Sequence, residues 1–288
     1  MWALFNLDHR FFERYRYAIV DSGRRDELPD SWPFAPLAPA FLGSDTSRCP
    51  LLLDCSAIPE VERYGLLDRL EAETLAKEES FVSLALASST GFKSIQRHLA
   101  EHLVILNAAD NQPRQFRYYD PGTFIQLPDV LGNSGMSWLL GSVDSVAVPW
   151  LGEWGCLSNP GAPSDSGFDL RAFADPLQSF SVVNRVLTQL PDVSDQTDWR
   201  RKGSATRRIV DYARTSYGLD QRDDLVAFAL HAWRWHPNFD RHPKIQELIT
   251  ELANASPEDE LDYREVTARL EKSDWEQVAS DLKAEAIL

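Results

Sequence analysis

The stretch that decides the fold of the first half of the chain is residues 102–124, HLVILNAADNQPRQFRYYDPGTF. It predicts a β-hairpin, because an apolar run at 103–107 and an aromatic-rich run at 115–119 are separated by turn-forming residues. The Asp-Pro-Gly sequence at 120–122 should end the second strand, since proline cannot donate a hydrogen bond to a neighbouring strand.

Outward from this hairpin, short apolar segments alternate with amphipathic ones. Strands are predicted at 16–21, 50–55, 81–87, 103–107 and 115–119, and helices at 59–77 and 90–101. On the first helix, the apolar residues expected to face the core are Val61, Tyr64, Leu67 and Leu70. The alternation favours an α/β N-terminal lobe with a mixed sheet flanked by helices. The segment 23–48, rich in Pro, Asp and Ser, is expected to be a long surface loop.

The second half of the chain has a different pattern. Glycine, proline and serine concentrate at 155–168, which predicts a linker between a domain at 1–160 and a second domain at 161–288. Beyond the linker, helices are predicted at 169–190, 204–217, 221–236, 243–254 and 257–285. The expected fold class is therefore an α/β lobe followed by an all-α C-terminal lobe.

The amino-acid composition limits the classes of function that are expected. The chain of 288 residues is 43% hydrophobic and 25% charged, which is typical of a globular protein. Its net charge of −15 should repel nucleic acid and anionic membranes and favour a basic protein partner. No apolar run approaches the roughly 20 residues that span a bilayer. The first residues lack the pattern of a secretory signal peptide, so a cytoplasmic location is expected.

Neither metal nor cofactor is expected from the sequence. His231, His236 and His242 are spaced five and six apart, so the first two lie about 140° apart around a helix, which favours structural roles. The three cysteines have no metal-binding or redox spacing and are expected to be unpaired thiols: Cys49, Cys55 and Cys156. Nucleophile-elbow and phosphate-loop motifs are missing. No catalytic residue is therefore predicted.

Two residues of the hairpin have competing interpretations. Asp120 precedes Pro121, and its side chain is suited to accepting backbone N–H bonds in a turn, which is favoured over a role as cation ligand or base. Arg117 alternates with Tyr118, so it either faces solvent or pairs with a helix carboxylate. The favoured interpretation makes Asp120 an element of the fold, and a buried ion pair would give Arg117 the same role.

Four tryptophans are candidates for contacting a protein partner. Trp150 and Trp154 flank a Leu-Gly-Glu turn, and Trp233 and Trp235 lie two apart on one helix, about 200° around it. Exposed aromatic residues are typical of protein interfaces. The alternative, complete burial in the core, has comparable weight because tryptophan is usually buried.

The hairpin also carries a family resemblance. The string Phe116-Arg117-Tyr118-Tyr119-Asp120-Pro121 resembles the F-R-[FY]-[YW]-D-P hallmark of type VI secretion effector adaptors, also called effector chaperones, which are encoded beside VgrG spike proteins. Three further segments are similar to the family in order and spacing: 16–21, 49–54 and 139–143. Ser142 departs from the pattern, since proline is common there. The resemblance covers roughly residues 14–160.

The resemblance implies a non-enzymatic cytoplasmic adaptor that binds an effector toxin and loads it onto the VgrG spike. In this interpretation the α/β lobe is a rigid platform, and the helical lobe supplies a groove for a helix or extended segment of the cargo. Two alternatives stay open: a cytoplasmic enzyme with an active site between the lobes, and an immunity protein whose acidity matches a basic toxin.

Overall fold

A computed structural model of the chain describes residues 2–39, 46–106, 112–161, 168–255 and 261–285. Spatial clustering of the backbone divides it into two units. The first comprises Met1–Gln178 and Ser194–Arg200, and the second comprises Ser179–Val193 and Arg201–Leu288. Both units are therefore discontinuous in sequence, and the domain boundary expected after residue 160 remains a prediction.

The first unit is built on a seven-stranded sheet. The strands among the described residues are β1 (Trp2–Phe5), β2 (Tyr17–Val20), β3 (Phe34–Pro36), β4 (Leu51–Asp54), β5 (Leu84–Ala87), β6 (Val104–Leu106), β7 (Pro113–Gln115), β8 (Ser145–Trp150) and β9 (Glu153–Ser158). The order in the main sheet is β1-β9-β8-β5-β2-β4-β3, and among the described strands β6 pairs only with β7.

The prediction of a mixed sheet is wrong, because every strand pair in the described residues is antiparallel. The helical connection from β4 to β5 does leave these two strands pointing the same way. However, β2 lies between them and runs antiparallel to both. The expected hairpin does form as β6 and β7, but it is a separate two-stranded sheet.

Helices cover both faces of the main sheet. They are α1 (Phe11–Arg14), α2 (Glu60–Ala76), α3 (Phe92–Glu101), α4 (Pro121–Phe124) and α5 (Leu127–Leu140). Strand β2 is buried on both sides, since Ala18 and Val20 pack in one core cluster with residues of α1 and α2. On its other side, Tyr17 contacts Phe92 of α3 at 6.0 Å between ring centres. The unit is therefore a three-layer α/β sandwich.

The core-facing side of α2 differs from the prediction. Leu67 and Leu70 are buried as expected, together with Leu66, but Val61 is 82% exposed and Tyr64 is 48% exposed. The reason is geometric: residues three apart advance about 300° around a helix, so a strict i+3 series drifts by about 60° per step. Val61 and Leu70 consequently lie on opposite sides of α2.

The second unit is helical throughout its described residues, so the predicted fold class is confirmed. The remaining helices of the chain are α6 (Ala174–Leu187), α7 (Gln196–Tyr217), α8 (Arg222–Arg234), α9 (Pro243–Asn254), α10 (Tyr263–Thr267) and α11 (Lys272–Glu285). Phe228 lies at the centre of an aromatic cluster that includes Phe239 and Tyr263. The single helix predicted at 257–285 is instead divided into α10 and α11, and its start at 256–260 lies outside the described residues.

The predicted linker also needs correction. Its first residues, Gly155 to Ser158, belong to strand β9, while 162–167 lie outside the described residues. Strand β9 follows β8 through a tight turn in which Leu151 and Gly152 have φ of +55° and +78°. Two consecutive positive φ angles are the signature of a type I′ hairpin turn, which lets the chain reverse within two residues.

Candidate functional site

The motif residues 116–121 form the connection from β7 to α4, and the prediction that they close the second strand is wrong because β7 ends at Gln115. The three aromatic side chains of the motif are buried: Phe116, Tyr118 and Tyr119. The Tyr118 hydroxyl donates to the carbonyl of Leu99 at 2.9 Å, and burial raises the pKa of Tyr118 well above its usual value. These rings therefore anchor the connection to α3.

The charged motif residues hold local structure. Asp120 is the N-cap of α4, and its Oδ1 accepts the backbone N–H of Thr123 at 2.8 Å, with Pro121 opening the helix. This is the turn-forming geometry expected for that residue. The half-exposed Arg117 guanidinium pairs with the Asp21 carboxylate at 3.1 Å, just after β2 and outside any α-helix. Arg117 therefore links the connection between β7 and α4 to the end of β2.

A furrow runs along the C-terminal half of α2. It consists of two cavities, of about 660 Å³ and about 310 Å³, which share Thr74, Gly152 and Glu153. The larger cavity is lined by the end of β1 and by Leu75, and the smaller reaches the motif residues Asp120 and Pro121. We call these two cavities together the furrow. It brings the motif, the β8–β9 turn and the edge of the sheet to one surface.

The shape of the furrow depends on the tight β8–β9 turn. A Cβ on Gly152 would lie 2.8 Å from Cγ of Lys77 and 3.0 Å from the carbonyl oxygen of Thr74, so only glycine fits against the end of α2. Lys77 ends that helix in a left-handed conformation with φ of +55°. The buried Glu73 carboxylate then accepts the backbone N–H of Phe81 at 2.7 Å, which fixes the following loop.

The furrow is acidic and partly apolar. Its lining includes five carboxylates and a single ammonium group: Glu71, Glu78, Glu79, Asp120, Glu153 and Lys77. Leu75 and Leu4, which are 87% and 51% exposed, supply apolar side chains at its larger end. Trp150 lines the smaller cavity, but its indole N–H is buried, with no hydrogen-bond partner among the described residues. Such a surface is suited to a partner that carries both apolar and basic groups.

The tryptophans predicted near the turn have different environments. Trp154 is 2% exposed, packs edge-on against Phe11 at 5.0 Å, and donates its indole N–H to Thr74 at 3.0 Å. Trp150 is partly exposed in the furrow and contacts Trp199 at 4.9 Å between ring centres. Of this pair, Trp150 is therefore the residue placed at a surface.

The second pair of tryptophans lies in the helical unit. Trp233 is partly exposed and donates its indole N–H to Thr206 at 2.9 Å, while Trp235 stacks on Trp275 with the rings 9° from parallel. Trp233 lines an open cleft of about 400 Å³ between α7 and α8, which we call the helical cleft. Its lining includes Ile209, Tyr212, Phe228, Trp233, Arg208 and Arg241.

The helical cleft has an apolar floor and a basic rim. The buried Asp240 carboxylate accepts hydrogen bonds from the hydroxyls of Tyr212 at 2.9 Å and Tyr217 at 2.7 Å, so its charge is engaged within the unit. Arg208 and Arg241 are exposed and form no ion pair within the described part of the chain. An apolar ligand with an acidic flank therefore fits this cleft.

The histidines occupy structural positions. His231 contacts Trp275 at 4.2 Å between ring centres and the Tyr263 hydroxyl at 3.0 Å, and burial lowers its pKa to about 4. His242 caps α9 by accepting the N–H of Lys244. No metal-binding cluster of His, Cys, Asp or Glu occurs in the residues that the structure covers. None of the three cysteines, all of which are described, forms a disulfide.

The exposed residues that define the furrow were not predicted from the sequence. Strand β1 was not predicted, because its four residues, WALF, are too few to show alternation. Leu75 carried no signal either, since an exposed leucine on a helix looks like a core residue in sequence. The Leu-Gly pair between Trp150 and Trp154 was recognised as a turn, but the strands on its two sides were not.

Comparison with known proteins adds no relative. A scan against family models, a search of curated proteins and a search of solved structures each returned no match. The family resemblance of residues 116–121 therefore stays a prediction. Within the described ranges, no helix is both long enough and apolar enough to cross a membrane.

Proposed function

We propose that this chain is a non-enzymatic cytoplasmic adaptor of a type VI secretion system, which binds an effector toxin and loads it onto the VgrG spike. The observation that carries the proposal is the helical cleft, an open apolar surface in the helical unit. The similarity of residues 116–121 to the adaptor hallmark is the reason for proposing this family. The family in turn suggests the partners, an effector toxin and the VgrG spike.

The cleft favours a helical segment of the cargo. Partly exposed Ile209 and Trp233 and the exposed Tyr212 offer apolar surface between two helices, which is how grooves accept the apolar stripe of an amphipathic helix. Arg208 and Arg241 at the rim attract acidic residues that flank such a stripe. The cargo segment is therefore expected to be an amphipathic helix with an acidic flank.

Co-purification tests this proposal. The tagged chain, expressed in its native cells together with the secretion apparatus, should recover a toxin encoded nearby and the VgrG spike protein. Ile209→Glu should reduce toxin recovery at least about tenfold, because binding would bury an unpaired carboxylate in the apolar floor. The control is Thr215→Glu, which adds the same charge to an exposed position of α7 outside the cleft.

Each outcome of that experiment decides a specific point. Loss of the toxin with Ile209→Glu, but not with Thr215→Glu, supports the cleft as the cargo site. Equal recovery by both variants would show that cargo binds elsewhere on the chain. Failure of the wild-type chain to recover toxin or spike would contradict the adaptor function itself. Circular dichroism of each variant verifies that the helices are retained.

A further inference from the structure

We propose that the furrow of the first unit is a second docking surface, which takes an extended polypeptide segment with alternating apolar and basic residues. The segment would add as a strand to the free edge of β1. This inference does not rest on the proposed function, since the furrow and the helical cleft lie in different units and have opposite charge.

The edge of the sheet at β1 is open to pairing. Among the described residues, strand β1 is outermost in the sheet and pairs on one side only, with β9. An edge strand presents a row of unpaired N–H and C=O groups, and proteins usually protect it with charge or proline. The opposite edge, β3, ends in Pro36, whereas β1 reads WALF and contains neither a charged residue nor proline. Strand addition is therefore favoured at β1.

The furrow supplies side-chain contacts beside that edge. Leu4 lies on β1 itself and Leu75 lies on α2, so a bound strand would find apolar surface beside each of its two faces. Both leucines are more than half exposed, so each can gain burial without any rearrangement of the core. At about 25 cal/mol per Å² of apolar area removed from water, such contacts add to the main-chain pairing.

The charge of the furrow sets the chemistry of the partner. The exposed carboxylates of Glu71, Glu78 and Glu79 form no ion pair within the described residues, and Lys77 is the single ammonium group in the lining. Successive side chains of a strand point to opposite sides. A segment that alternates apolar residues with Lys or Arg would therefore present its apolar side chains on the face of β1 that carries Leu4, and its cations on the opposite face, toward Glu71 on α2.

The test uses the full chain and a synthetic peptide in which valine alternates with lysine. A peptide in which valine alternates with glutamate is the charge-inverted comparison. Leu75→Lys should weaken binding of the valine–lysine peptide at least about tenfold, because it adds a repelling charge inside the furrow. The matched control is Val61→Lys, an equally exposed apolar residue of the same helix that does not line the furrow.

Amide hydrogen exchange distinguishes strand addition from charge attraction alone. Binding should protect those amides of Ala3 to Phe5 that point away from β9, and it should persist in the Ile209→Glu variant of the helical cleft. Equal binding of both peptides, equal loss with Val61→Lys, absence of protection in β1, or no binding up to millimolar peptide would each overturn the proposal. A dimer that forms without peptide and is disrupted by Leu4→Lys would assign the edge to a second copy of this chain.

Discussion

Asp120 organises the first turn of α4 by accepting the backbone N–H of Thr123. This role could be anticipated from the sequence, because an aspartate before proline is suited to accepting backbone N–H bonds in a turn. The helix that follows could not be predicted, since four helical residues are too few to show a periodic pattern. The local chemistry of the motif was therefore predictable, while its position between β7 and α4 was not.

Replacing Asp120 tests its capping role. Asp120→Ala should lower the free energy of unfolding by about 1 kcal/mol, because the Thr123 amide loses its acceptor. Asp120→Asn should retain nearly all of the wild-type free energy of unfolding, since asparagine caps helices as well as aspartate does. Urea denaturation measures both values. If Asp120→Asn were as destabilising as Asp120→Ala, the negative charge would have a role beyond the cap.

Glu73 is the buried carboxylate that supports the furrow. It accepts hydrogen bonds from the Phe81 backbone at 2.7 Å and from the Arg69 guanidinium at 2.8 Å. Glu73→Ala should therefore cost on the order of 2 kcal/mol of unfolding free energy, since the buried Phe81 N–H loses its acceptor, while the Arg69 guanidinium retains its ion pair with Glu27. Glu73→Gln should cost less, because the amide oxygen still accepts one bond. Equal midpoints for wild type and Glu73→Ala in urea would contradict this assignment.

His102, which is buried, and His231, which is partly buried, should make stability depend on pH. Burial is the main cause that lowers the pKa of His102 and His231 to about 4. In the unfolded chain both should titrate near 6.5, so between about pH 6.5 and 4 the unfolded chain binds protons that the folded chain excludes. The free energy of unfolding should therefore fall as the pH falls through this window, by on the order of 2 kcal/mol per histidine at about pH 5.

The variant His231→Phe checks this prediction. Phenylalanine retains an aromatic ring against Trp275 but cannot be protonated. Urea denaturation near pH 7 and at about pH 5 should show a smaller acid-induced loss in the variant than in the wild-type chain. The same loss in both proteins would mean that His231 does not titrate in this range.

Among the elements, the β8–β9 hairpin shows why the sheet was only partly predictable. Its turn residues Leu151 and Gly152 are explicit in the sequence, but strand β9 contains Gly155 and Cys156, which resembled the start of a linker. The helices were more predictable. Helix α9 has the predicted limits of 243–254, because His242 and Pro243 mark its beginning and its apolar periodicity is strong.

A pair of glycine substitutions tests the elements around the furrow. Gly152→Ala should lower the free energy of unfolding by about 1–2 kcal/mol, since φ is +78° and Cβ would meet the carbonyl of Thr74. Gly65→Ala, inside α2 with no atom within 4 Å of its Cβ, should raise it by up to about 1 kcal/mol. Thermal denaturation measures both shifts, and equal signs for the two variants would contradict the geometry.

On the scale of the whole molecule, two surfaces of different character lie in two separate units. The net charge of −15 correctly suggested an acidic surface, which the furrow concentrates beside an open sheet edge. A net charge cannot reveal a local patch of the opposite sign. The basic rim of the helical cleft is such a patch, formed by Arg208 and Arg241 from distant parts of the sequence. Only the fold brings Arg208 on α7 and Arg241, in the turn that follows α8, to one cleft.

The most direct measurement of the central claim is toxin delivery by cells that lack this chain. If the chain is an adaptor, its deletion should abolish killing of susceptible neighbouring cells, while the deletion strain itself stays viable. Expression of the wild-type chain should restore killing, and Ile209→Glu should not. Normal killing by the deletion strain would contradict the adaptor function, and self-killing of that strain would instead indicate an immunity protein.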